Sequence, residues 1–349
     1  MPGLTQAGQG WARGISRRWN APIGEHVIAL ALAPDASLVV AAPSIGNPVV
    51  IDAESGSLVA SLPEQGAGTL CLAWDGAGRH LAAGGKDGSL LIFRDRDWAN
   101  PVRVSLGEAW VESLAWHAVT GHVAASSGKS VAVWSETGDC VVRFPDHSST
   151  VSAIAWRPRS DTLAAAAYGG ISLWTVSHPA APRVFAWKGS PLCLSWSADG
   201  SMLAHGNQDS TVHFWYALTG QDLQMTGYER KVREIDWSPA GHFLATGGGP
   251  AICIWNCGTK GGPAGSTPLM LSCHDSHLNQ VRYQPTGGYI AAAGSDGKLS
   301  IWSVSSSPWK PSAVHDFRGS EVTAISWSAR GEALVAGGSS GELCLFRVV

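Results

Sequence analysis

VREIDW, Val232 to Trp237, runs straight into WSPAGHFLA, Trp237 to Ala245, and 18 residues beyond Trp237 stands a second aromatic, Trp255. A short alternating run, a turn carrying Pro239 and Gly241, and a short apolar run read as two antiparallel strands joined by a tight turn. The same unit recurs along the chain. Its first landmark falls at Leu32, Trp74, Trp116, Trp156, Trp196, Trp237, Tyr283 and Trp327, in steps of 42, 42, 40, 40, 41, 46 and 44 residues. Its second falls 18 or 19 residues later, at Phe93, Trp134, Trp174, Trp215, Trp255, Trp302 and Phe346. A period of about 40 to 45 residues with two such marks is that of a propeller blade, one twisted four-stranded sheet.

The fourth copy shows the four strands: Val151 to Trp156, Thr162 to Ala167, Ile171 to Thr175 and an outer strand Arg183 to Trp187. Turn residues separate them: Pro158 and Asp161, then Gly169 and Gly170, then His178, Pro179 and Pro182. Eight copies predict an all-β chain, a single closed propeller of eight blades. Seven is the alternative, because Leu32 and PSIGNP (Pro43 to Pro48) make the first copy the most degenerate. The last copy reaches Val349 after its third strand, so the segment with Ile15, Arg17, Arg18 and Trp19 is expected to supply the missing outer strand and remove an exposed edge. The expected division is an N-terminal tail, 1–14, and a propeller, 15–349.

Charged residues make up 15% of the 349, well under the typical value of roughly 25%, while 42 glycines suit many tight turns. A formal net charge of -3, with both signs scattered, leaves no footprint for nucleic acid or an anionic membrane. The opening residues lack an apolar signal core, and the apolar stretch from Val27 to Ala42 is broken by Pro34 and Asp35. Seven cysteines without a CxxC do not form a disulfide framework; Cys71, Cys193, Cys253 and Cys344 sit at repeat-equivalent places and read as small core residues. A reducing cytoplasm, a monomer and no cofactor are the expectations.

The pattern resembles the WD-repeat β-propeller family, over residues 15 to 349. That resemblance implies a polar set in each blade: a histidine before the first strand, an aspartate in the turn between the second and third strands, and the tryptophan of the third. His274, Asp296 and Trp302 match it in the seventh copy. His147 and Trp174 match in the fourth, where Tyr168, Gly169 and Gly170 supply no aspartate. Asp87 and Asp209 stand in the second and fifth copies without the histidine, and the family's WD dipeptide gives way to Trp134-Ser135, Trp174-Thr175 and Trp302-Ser303. Packing is therefore expected to carry most of the stability. The function implied is a non-enzymatic scaffold or adaptor for a protein or peptide partner.

Gly128-Lys129-Ser130 resembles the end of a phosphate-binding loop, but that loop needs a glycine five residues earlier, where Val123 stands, and a strand-to-helix context. Cys273, His274, Asp275 and His277 offer zinc-type ligands; His274 is already assigned to the blade, leaving Cys273 and His277 as the metal candidates. No H-E-x-x-H occurs. A zinc-linked protein and a channel-mouth ligand binder or enzyme remain the alternatives to a scaffold.

Residues preceding each first strand, and those in each turn between second and third strands, point to one rim. It collects Trp110, Tyr168, Trp187, Lys188, Gln208, Tyr228, Arg230 and Lys231, rich in the types that dominate binding hot spots. Trp187 and Tyr228 also fit a structural role, each standing nine residues before its landmark. His315 is expected at the surface. The long connection from Asn256 to Met270 reads as an exposed loop on the opposite face.

Overall fold

The computed structural model describes residues 14–259, 262–305 and 310–348. Of the expected N-terminal tail, residues 1–13 lie outside them, as does Lys260 of the long connection.

Eight four-stranded antiparallel sheets follow one another along the chain. Seven are built from consecutive strands, spanning 27–61, 69–105, 111–143, 153–186, 191–225, 235–272 and 278–316. The eighth takes three strands from 322–348 and its outer strand from Ile15–Pro22, which pairs with Glu342–Val348. The first strands touch their neighbours in cyclic order, the eighth blade's meeting the first blade's, so the ring is closed. The degenerate first copy is a full blade within it.

Each second strand is buried along nearly its whole length, as in Leu81–Gly85 and Ala333–Gly338. That burial explains the runs of alanine and glycine: sheets packed face to face leave small residues room only for a short side chain. The core lies between blades in separate clusters, such as the one joining Val131 and Phe144 of blade 3 to Ile154 and Trp174 of blade 4.

The landmark tryptophans bind blade to blade. The indole N–H groups of Trp116, Trp156 and Trp237 donate to the carbonyls of Ala73, Ala115 and Ser195 at 2.9, 2.9 and 3.1 Å. Trp74, Trp196 and Trp327 reach Ala31, Ala155 and Arg282 at 3.4, 3.3 and 3.4 Å. In every case the acceptor immediately precedes the landmark of the previous blade. Where the landmark is not tryptophan, the direction of side-chain and backbone is exchanged. Asp236 Oδ2 accepts from the Tyr283 backbone N–H at 2.7 Å, and Ser326 Oγ accepts from that of Leu32 at 3.1 Å.

Two local expectations change. The outer strand of blade 4 begins at His178 and runs to Ala186, so His178, Pro179 and Pro182 lie within it rather than in a turn. An outer strand tolerates proline because one side of its backbone faces solvent. Gly170 opens the third strand of that blade at φ 134°, where a Cβ would stand 2.1 Å from the Phe185 carbonyl oxygen. Only glycine fits that crossing.

Candidate functional site

Because the first strands line the channel, the segments that enter them ring its mouth together with the turns between second and third strands. In blade 4 the two connections are tied directly: Gly169 N–H donates to the Gly189 carbonyl at 3.1 Å and Trp187 N–H to that of Gly169 at 2.9 Å. Trp110 and Tyr168 stand out from this rim, 52% and 58% exposed. Lys188, Gln208, Arg230 and Lys231 are exposed as well.

Trp187 and Tyr228 turn inward. Trp187 is half-buried and lies over His213, ring centroids 3.6 Å apart. Tyr228 takes the place of a blade histidine: its hydroxyl accepts from the Trp255 indole at 2.9 Å and lies 2.9 Å from Thr246 Oγ1. Burial pushes its phenol well above the ordinary range.

Arg230 and Lys231 border a recess of about 540 Å³ at the channel mouth. Four consecutive blades build it: Arg233 and Glu234 enter blade 6, His277 and Asn279 blade 7, Glu321 and Thr323 blade 8, and His26 blade 1. Arg230 Nη1 donates to His277 Nδ1 at 2.8 Å, with Ser295 Oγ 3.0 Å from the same nitrogen. The ring proton of His277 therefore sits on Nε2. Burial raises the pKa of Glu234, with the neighbouring backbone N–H groups and Arg233 opposing it. The recess carries three cationic side chains, Arg230, Lys231 and Arg233, against two carboxylates, Glu234 and Glu321. Sequence reading missed His26, Arg233, Glu234 and Glu321. VREIDW reads as a strand from Val232, whereas the strand begins at Ile235, which leaves Arg233 and Glu234 in the segment that enters it.

Polar side chains link the strands within blades 7, 4 and 5. His274 Nδ1 lies 3.0 Å from Asp296 Oδ1 and Nε2 lies 2.8 Å from Ser300 Oγ, which accepts from the Trp302 indole at 3.0 Å. Ser300 thus links histidine to tryptophan. In blade 4 the Trp174 indole donates directly to His147 Nε2 at 3.1 Å. Blade 5 carries a variant in which His205, from the second strand, accepts from Trp215 at 3.1 Å and bonds Asn207 at 2.9 Å.

The metal candidates separate. Cys273 is partly buried in the cluster between blades 6 and 7, whereas His277 faces Arg230 and Ser295; among the described residues the two belong to no group of three ligands. Gly128 lies in the turn between two strands, and its carbonyl accepts from the Val151 N–H at 2.8 Å. His315 is not at the surface: it is 3% exposed, on the inward face of its strand with Ala313 and Phe317. At the opposite end from the rim, Phe243, Ile254, Leu269, Tyr283 and Val304 line an apolar recess of about 820 Å³ between blades 6 and 7. The described part of the long connection contributes Ser266 and Thr267 to its wall.

The model of the WD domain, G-beta repeat, matches residues 56–94, 138–175, 183–216, 221–256 and 265–303. WD repeat-containing protein slp1 of Schizosaccharomyces pombe is 27% identical over 76% of this chain and 56% of its own length. Two Arabidopsis thaliana proteins are also similar. The Cell division cycle 20.1 protein, cofactor of APC complex, is 28% identical over 60% of this chain and 41% of that one, and THO complex subunit 3 is 24% identical over 56% and 63%. The chain spans about half the length of slp1 and less than half of the division-cycle protein. The crystal structure of the computationally designed Ika8 protein superposes with a TM-score of 0.77 at 19% identity, covering 98% of this chain and 100% of that one. That likeness concerns the fold alone.

Proposed function

The chain belongs to the WD-repeat family, and from that premise we propose that it is a non-enzymatic scaffold whose channel-mouth rim holds a protein or peptide partner. The observation that carries this reading is the placement of two exposed aromatic side chains, Trp110 and Tyr168, on the same rim as the exposed Arg230 and Lys231. Large amphipathic side chains bury much area for little lost rotamer freedom, and arginine adds directed hydrogen bonds. A closed ring of packed sheets presents them preformed, which lowers the ordering cost of association. Relatives named as a cofactor of one complex and a subunit of another support a role in assembly.

The weighting of the recess toward Arg230, Lys231 and Arg233 favours an acidic segment in the partner. Affinity capture from native extract tests the reading. Arg230→Glu with Lys231→Glu should abolish recovery of the partner while melting is unchanged, because exposed substitutions shift stability by only about 0.5 kcal/mol. Arg330→Glu, exposed in a turn at the opposite end, should leave recovery intact. Recovery kept by the double variant and lost with Arg330→Glu would move the surface to the other face.

A further inference from the structure

We propose that His315, Glu342 and Cys344 form a zinc-type metal site that clasps blade 7 to blade 8 where the ring closes. His315 comes from the outer strand of blade 7; Glu342 and Cys344 lie two apart on the third strand of blade 8, hence on one face of it. Their ligand atoms all lie within 4.8 Å of one another. Cys344 Sγ is 3.5 Å from His315 Nε2 and 3.5 Å from Glu342 Oε1. The two separations from Cys344 match the geometry of the ion, and the third, His315 to Glu342, is bounded at 4.8 Å. Bonds of about 2.3 Å to sulfur and about 2.0 to 2.1 Å to nitrogen or oxygen, at tetrahedral angles, give ligand edges of about 3.5 Å.

Nitrogen, sulfur and carboxylate oxygen together suit zinc better than magnesium or calcium. Three protein ligands leave one position open to an outside ligand. Glu342 is only half-buried, which gives the ion a way in, while His315 and Cys344 are 3% and 0% exposed. Asn20, on the closing N-terminal strand, donates from Nδ2 to Glu342 Oε1 at 2.9 Å and holds that carboxylate in place. It is a positioning residue. Arg17 of the same strand acts on both His315 and Cys344 through its charge and opposes a cation there. Binding exchanges the Cys344 thiol proton, released to solvent, for a sulfur–metal bond.

The test is titration of the full chain, stripped with a chelator, with Co²⁺ and then Zn²⁺. The parent should take up Co²⁺ with a thiolate-to-cobalt charge-transfer band that Zn²⁺ abolishes, and Zn²⁺ should raise its melting temperature. Cys344→Ser should lose the band. Asn20→Ala should keep it while weakening Zn²⁺ by about 10- to 100-fold, the usual effect of removing an outer-shell partner. Arg17→Ala should tighten binding. If Cys344→Ser does not fold, Glu342→Gln at its half-buried position decides: weakened Zn²⁺ supports the site. Unchanged Zn²⁺ affinity in Glu342→Gln, no thiolate band in the parent, or a band that survives Cys344→Ser would show that the three groups only hydrogen-bond to one another.

Discussion

His274 shows how much one side chain holds together. It is 8% exposed and connects Asp296 of the rim turn to Ser300 and, through it, to Trp302. His274→Ala leaves buried polar groups without a partner, a loss that typically costs about 1 to 3 kcal/mol. Urea denaturation should show that loss, and His242→Ala, at an exposed position, should show almost none. His315, expected at the surface, is instead buried against Phe346 and Cys344. The spacing of His274, Asp296 and Trp302 makes them legible in the sequence. Ser300 is not, since one more serine in a strand carries no mark of its partners. His315 could have been placed by alternation, for Ala313, His315 and Phe317 share a face, and a period of two puts all three inside or all three outside.

Within and between blades, the belt of tryptophan-to-carbonyl bonds sets the register of each first strand on the one before it. Trp156→Ala removes that bond and a large interblade side chain; such truncations typically cost about 3 to 5 kcal/mol. A thermal melt like the parent's would contradict the assignment. Asp236 makes a sharper case. Burial raises its carboxyl pKa, opposed first by the charge of Arg282 and then by the backbone N–H of Tyr283. Asp236→Ala orphans that N–H and should cost about 1 to 3 kcal/mol, whereas Asp236→Asn keeps an oxygen acceptor and should cost less. Equal losses would show that the bond to Tyr283 does not matter. The repeat period makes the blades readable because apolar alternation and turn residues are local. The pairing of Tyr283 with Asp236, and of Leu32 with Ser326, is not readable, because each joins residues about one repeat or nearly the whole chain apart.

At the scale of the molecule, closure rests on Ile15–Pro22. Trp19 donates from its indole to the Ala53 carbonyl at 2.9 Å, Arg18 and Arg347 both pair with Glu54, and the strand covers the outer edge of Glu342–Val348. Deleting residues 1–24 should expose that edge and yield aggregates in place of a monodisperse species on size-exclusion chromatography. The ring should also weaken in acid. Burial first, and the charge of His213 second, lower the His205 pKa from 6.5 to about 3. The unfolded chain therefore takes up the proton before the folded one, so this contribution is intact above pH 6.5 and fades as pH falls toward 3. By pH 5 the loss is about 2 kcal/mol. Between pH 7 and 5 the parent should lose that much more stability than His205→Gln; equal slopes would contradict the assignment. Binding of the partner at the channel-mouth rim is read out by hydrogen–deuterium exchange of the chain with and without its captured partner. Exchange should slow at residues 108–112, 166–170 and 228–234 in the complex. Slowed exchange confined to the turns of the opposite face, around residues 239–242 and 284–288, with the rim unchanged, would contradict it.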